Sequence, residues 1–185
     1  MRTLILIPFL LASIVCHSQS FDELKEGNDT YFQYIAVFDS AMTKGTLFDM
    51  FNLNLMNTYK STLVPSDIKD EGDSKLFARC KGSKLVYDNG IKKDGGYFSY
   101  NLNIICKDGK AKIVINAINY NSGEMVHMKS GTNFTLEEPD NWTKSFIWNK
   151  QSKKEWGKMK VQFRNEINSI LKKLIKVDKT ISSDF

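Results

Sequence analysis

The chain has 185 residues, of which 42% are apolar, 12% aromatic and 25% charged, with a net charge of +5. That mix excludes collagen-like, coiled-coil and wholly disordered chains, and the length suits one domain with a real hydrophobic core. Two histidines and three cysteines leave little material for a metal cluster or a histidine-based catalytic centre.

The N-terminus opens with Arg2, an apolar run from Leu4 to Val15 and then Cys16-His17-Ser18. A short positive start, a greasy stretch and a small residue near its end describe a secretory signal, expected at 1–18 with the cut after Ser18. The run is too short to span a bilayer, which takes about 20 residues, and the mature chain is expected to have no transmembrane segment. Cleavage before Cys16 with lipid attachment is the rival, and Val15 ahead of that cysteine counts against it. The expected location is therefore periplasmic or extracellular. Export leaves Cys80 and Cys106, which an oxidising compartment permits to pair.

Charge is unevenly spread. From Lys144 to Lys179 there are eleven Lys or Arg against three acids, whereas Gln19 to Thr143 holds fourteen against seventeen. The basic balance belongs to the C-terminal segment.

Residues 19–30 are polar and read as a linker, or a loosely docked start, ahead of a single domain at 31–178. Tyr31 to Asp39 is aromatic and β-branched, as strands are. Thr43 or Thr46 then caps a helix whose stripe is Leu47, Phe51, Leu55 and Tyr59, with Phe48 and Met56 alongside. Asp67 to Ser74 is an acidic edge or loop. Leu76, Ala78 and Cys80 alternate with polar neighbours, and Phe98, Tyr100, Leu102, Ile104 and Cys106 alternate with Ser99, Asn101 and Asn103. Asp108-Gly109 suits a two-residue hairpin turn. That turn sets Cys106 opposite Ala111, Ile104 opposite Ile113 and Leu102 opposite Ile115, and carries the inward face on through Ala117. Gly123 to Trp148 is irregular. Ser152 with Glu155 forms a capping-box pattern ahead of a helix at about 153–177 with a Trp156, Met159, Phe163, Ile167, Ile170, Leu174 stripe. Residues 179–185 read as a frayed tail.

The expected fold is α+β: an antiparallel sheet of about five strands with two helices on one face, in β-α-β-β-β-β-α order. The strand YIAVFDS, the helix start Thr43-Lys44-Gly45-Thr46-Leu47-Phe48, LFARCKG and the pair SYNLNIICKDGKAKIVINAINY carry a resemblance over residues 31–122. They resemble a bacterial exported domain of unknown function with a TATA-binding-protein-like fold. The resemblance implies a fold and an envelope location, and no activity or functional residues to carry over.

No catalytic, cofactor or metal site emerges, and the expectation is a non-enzymatic binding or scaffolding module, the alternative being an enzyme whose site residue spacing does not reveal. His127, the one histidine after signal cleavage, has no nucleophile in a recognisable motif, so it reads as an incidental surface residue. Asp67, Asp70, Glu71 and Asp73 lack the calcium-loop pattern and read as a solvated edge. Gly90, Gly95 and Gly96 beside Lys92-Lys93 lack a phosphate-loop ending. Lys154, Lys158, Lys172 and Lys176 fall opposite the apolar stripe of the last helix, where solvated charge belongs. An anionic lipid surface is the alternative use of that helix.

The surface of interest is the sheet face away from the helices: Arg79, Lys81, Ser99, Asn101, Asn103, Asn116, Ile118 and Tyr120. It suits a peptide, glycan or small ligand, or an envelope protein, and an exported chain gives no reason to expect nucleic acid. Cys80 and Cys106 point inward on neighbouring strands. They bond only if directly opposite, with Cα atoms about 4.4–6.8 Å apart; otherwise they are two buried thiols.

Overall fold

The computed structural model describes residues 20–27, 29–59, 69–70, 74–88, 92–121, 132–133 and 146–177. The signal segment, His127, most of the acidic run and the tail lie outside them. In chain order the elements are β1 (Asp22–Glu26), β2 (Asp29–Val37), α1 (Lys44–Tyr59), β3 (Lys69–Asp70), β4 (Lys75–Lys81), β5 (Val86–Asp88), β6 (Lys92–Asp94), β7 (Tyr97–Lys107), β8 (Lys110–Asn121), β9 (Thr132–Asn133) and α2 (Phe146–Leu174). Five longer strands form one antiparallel sheet ordered β1-β2-β8-β7-β4; the two-residue β3 extends its edge, and β9 pairs with β8. β5 and β6 make a separate hairpin.

Alternation in β7 decides which way the sheet faces: every even position from Phe98 to Cys106 is buried, and Tyr97 to Ile105 at the odd positions are half-exposed. The Asp108-Gly109 turn, with Gly109 at φ 68°, returns β8 in the expected register, Cys106 to Ala111, Ile104 to Ile113 and Leu102 to Ile115. Both helices lie on this inward face. Phe163 of α2 meets Phe32, Phe98 and Tyr100 with ring centroids 4.8–6.0 Å away, and Phe51 of α1 meets Phe38 at 5.9 Å. The result is the expected two-layer α+β arrangement.

Thr43 caps α1: its Oγ1 accepts from the Thr46 N–H at 3.2 Å, and its carbonyl accepts from the Leu47 N–H. Leu47, Phe48, Phe51, Leu55 and Tyr59 are buried as the stripe requires, whereas Met56 is 55% exposed. A second acceptor comes from far along the chain, the Asp108 carboxylate, which takes the Lys44 N–H at 2.7 Å.

Two expectations about boundaries are corrected. Residues 22–26 are a strand rather than part of a linker. β1 pairs antiparallel with β2, Glu23 holds Arg164 of α2 through two bonds of 2.7 and 2.9 Å, and the Phe21 N–H donates to Asn168 Oδ1. The last helix begins at Phe146, so Ser152 sits inside it instead of capping it. Glu155, fully buried, binds Lys158 one turn on at 2.8 Å. A capping-box pattern is a local preference, and here the helix runs through it.

Polar side chains fasten α2 to the rest. Gln162 takes both the N–H and the carbonyl of Val86 at 3.0 Å, and Asn54 of α1 donates to the carbonyls of Leu174 and Lys176. Glu166 accepts from Ser83 N and Oγ, and a Cβ on Gly82 would lie 3.0–3.1 Å from the Phe98 carbonyl and this carboxylate. A larger residue there would need both to give by a few tenths of an ångström.

Candidate functional site: the outward sheet face

Outward positions on β4 and β7 pair directly: Lys75 with Ile105, Phe77 with Asn103, Arg79 with Asn101, and Lys81 with Ser99. On β8, Asn116 lies opposite Asn101, and Asn103 Nδ2 donates to Asn116 Oδ1 at 3.2 Å. Arg79, Lys81, Asn101, Asn103 and Asn116 therefore share one face, as expected. Arg79 is exposed, and Lys81 places its ammonium 4.1 Å from the Tyr97 ring centroid. Such a contact favours the cation over the electron-rich face of the ring.

Tyr120 and Ile118 do not belong to this face. Between Ser99–Asn119 and Asn101–Asn116 the ladder slips: Ala117 and Ile118 together oppose Tyr100, and Ala117 takes φ 49°. This is a β-bulge with its extra residue in the left-handed region. It reverses the side-chain alternation. Ala117, expected inside, is exposed, while Ile118 and Tyr120, expected outside, are buried. Tyr120 donates to the Gly95 carbonyl at 2.6 Å and packs its ring 5.5 Å from both Phe98 and Trp156.

The bulge also brings amides outward that the sequence reading did not include. Asn119 Nδ2 donates to the Ala117 carbonyl at 3.0 Å, and Asn121 Nδ2 donates to Ser99 Oγ at 3.0 Å. With Asn101, Asn103 and Asn116 they form a ladder of amides along β7 and β8. Beside it, an open cleft of about 470 Å³ is walled by Glu26, Asp29, Tyr31, Gln33, Asn116 and Ala117 among others. That volume is within the range of small-ligand sites.

Cys80 and Cys106 do not meet. Cys80 lies opposite Tyr100, six residues along β7 from Cys106, roughly 20 Å at strand spacing. Both are buried thiols with no disulfide. Burial pushes the Cys106 thiol up to about 11. Near Cys80, the Tyr59 and Tyr100 hydroxyls are 2.9 Å apart, and burial raises both above the usual phenol range. Asp94, in contrast, is lowered by its bond to Lys84 at 2.9 Å and by the Gly96 N–H.

Lys154, Lys158 and Lys172 are exposed on α2, as the wheel predicts, and Lys176 is exposed just beyond its end. No described helix is long and apolar enough to cross a membrane, and among the described residues no cluster of three His, Cys, Asp or Glu could hold a metal ion.

Residues 34–121, just under half of the chain, match the family model of a domain of unknown function, DUF4468, with a TBP-like fold. Over these residues the chain is similar to DUF4468. This segment contains α1, β3 to β8 and the last four residues of β2, and so the whole amide ladder. The fold extends further. A TBP-like protein from Parabacteroides distasonis ATCC 8503, 12% identical, superposes with a TM-score of 0.58 over 84% of this chain and 98% of its own. A DUF4468 family protein from Bacteroides ovatus ATCC 8483, 13% identical, gives 0.57 over 84% and 92%. At such identities the likeness is one of fold alone. No curated protein matched the chain.

Proposed function

We propose that this protein is an exported, non-enzymatic binding module of the bacterial cell envelope that holds a polar ligand, an oligosaccharide first of all, on its outward sheet face. The observation carrying this reading is the ladder of Asn101, Asn103, Asn116, Asn119 and Asn121 beside the cleft at Ala117. An amide both donates and accepts, which matches the sugar hydroxyl, and Tyr31 and Tyr97 add aromatic surface for sugar rings. The arginine and lysine on β4 suit any acidic group such a chain carries. Export is supported by the Leu4–Val15 run after Arg2 and the small residues near its end. The non-enzymatic reading is supported by the scarcity of histidine and by the Cys106 thiol, which burial holds protonated in the core.

The test is a glycan and peptide array probed with wild-type protein and with an Asn101→Ala, Asn103→Ala, Asn116→Ala variant. The variant should lose binding while keeping its melting temperature within a few degrees. Equal binding by both proteins removes this face from the account.

A further inference from the structure

At the other end of the same face the chemistry changes. Two rows run across β2, β8 and β7 next to the Asp108-Gly109 turn. Val37, Lys110 and Lys107 form one row, and Ile35, Lys112 and Ile105 the next, all at paired outward positions. Val37 is 80% exposed and Ile35 55% exposed, unusual exposure for aliphatic strand residues. No amide side chain stands in these rows. On β4, β7 and β8 the outward positions hold Lys75, Arg79, Lys81, Lys107, Lys110 and Lys112 and no carboxylate. The outward carboxylates of this face stand on β1 and β2, Asp22 opposite Gln33 and Glu26 opposite Asp29, toward the cleft and away from the Lys107–Lys110 row. Asp70 of β3 is paired in register with Lys75, at the far edge from Val37. Two acids at this end are turned to the backbone: Asp108 accepts from Lys44 N–H and Asp39 from Ala41 N–H.

We infer that the Val37–Ile35–Ile105 patch, with Lys107, Lys110 and Lys112, is a contact surface for an anionic lipid membrane. Interleaved aliphatics and lysines meet the two demands of a bilayer surface, which takes apolar side chains into its acyl boundary and lysine heads among its phosphates. A protein partner of similar charge would need hydrogen-bonding groups at its rim, and here the amides are gathered at the opposite end. The attachment is peripheral and places the amide ladder close to the membrane plane. It does not depend on what the ladder binds.

The experiment is sedimentation of full-length wild type and variants with vesicles of phosphatidylcholine alone and with phosphatidylglycerol added. Comparison within one preparation makes the Leu4–Val15 run a common background. Wild type should bind the anionic vesicles and release in 0.5 M salt. Each lysine near such a surface is worth about fivefold, so Lys107→Glu with Lys110→Glu should weaken binding at least 25-fold. Ile35→Ser with Val37→Ser should weaken it by a smaller factor; Lys112 is left intact because it also lines the cleft. The Asn101, Asn103, Asn116 variant should bind vesicles like wild type, which separates this surface from the amide site. Equal binding of wild type and the lysine variant, or equal binding to neutral vesicles, overturns the inference. So does capture of polyglutamate without capture of vesicles, which would assign the patch to an acidic protein. Circular dichroism melts verify that each variant is folded.

Discussion

Tyr120 donates its hydroxyl to the Gly95 carbonyl at 2.6 Å, with its ring wholly shielded from water. This bond ties β8 to the residues between the β5–β6 hairpin and β7, and it exists because the bulge at Ala117 turns Tyr120 inward. Tyr120→Phe should cost about 1–3 kcal/mol, because the carbonyl loses its buried partner. Urea denaturation reads the loss, and binding at the amide ladder should be unchanged.

Ala117 at φ 49° gives the bulge its own signature. A left-handed conformation costs a non-glycine residue about 1–2 kcal/mol, and a β-branched residue more. Ala117→Gly should leave stability level or raise it by up to about 1 kcal/mol, and Ala117→Val should lower it by about 1–2 kcal/mol. The reverse order, valine tolerated and glycine harmful, would mark an ordinary strand position. Chemical denaturation of the two variants decides.

Cys106 and the two buried phenols predict an alkaline limit. Cys106 is raised from 9.0 to about 11, and Tyr59 and Tyr100 are also raised. Their folded forms bind protons that the unfolded chain releases first. The stability they contribute is complete below pH 9, begins to fall as the unfolded thiol ionises, and falls more steeply past pH 10. Melting temperature against pH should be insensitive to these groups from pH 6 to 8. Cys106→Ala should remove the part of the decline that falls between pH 9 and 11. Without reductant, Cys80 and Cys106 should both accept iodoacetamide after denaturation and resist it before, as intact mass reads directly.

Asp108→Ala should cost about 1 kcal/mol, since it removes the acceptor for the Lys44 N–H at the start of α1. The hairpin turn itself should persist, because Gly109 supplies its conformation. Guanidinium denaturation measures the first effect, and unchanged backbone amide shifts of β7 and β8 would verify the second.

How much of this was legible depended on how local each cause was. The alternation of Phe98 to Cys106 and the Asp108-Gly109 turn lie within one hairpin, so register and inward face could be read directly. The bulge could not: alanine carries no signal for a left-handed turn, and one extra residue moved Ile118 and Tyr120 to the other side. The amides of Asn119 and Asn121 were missed for the same reason. β1 has the polar sequence DELKE, and its anchors, Arg164 and Asn168, lie more than 140 residues away. The separation of Cys80 from Cys106 depends on how β4 pairs with β7 across the intervening β5–β6 hairpin, which no spacing rule supplies.

Nitrogen-15 NMR titration with soluble envelope oligosaccharides tests the binding face most directly. Side-chain amide shifts concentrated at Asn101, Asn103, Asn116 and Asn119 are the expected result. Shifts confined to the exposed side of α2, or to the Val37 end of the sheet, would contradict it.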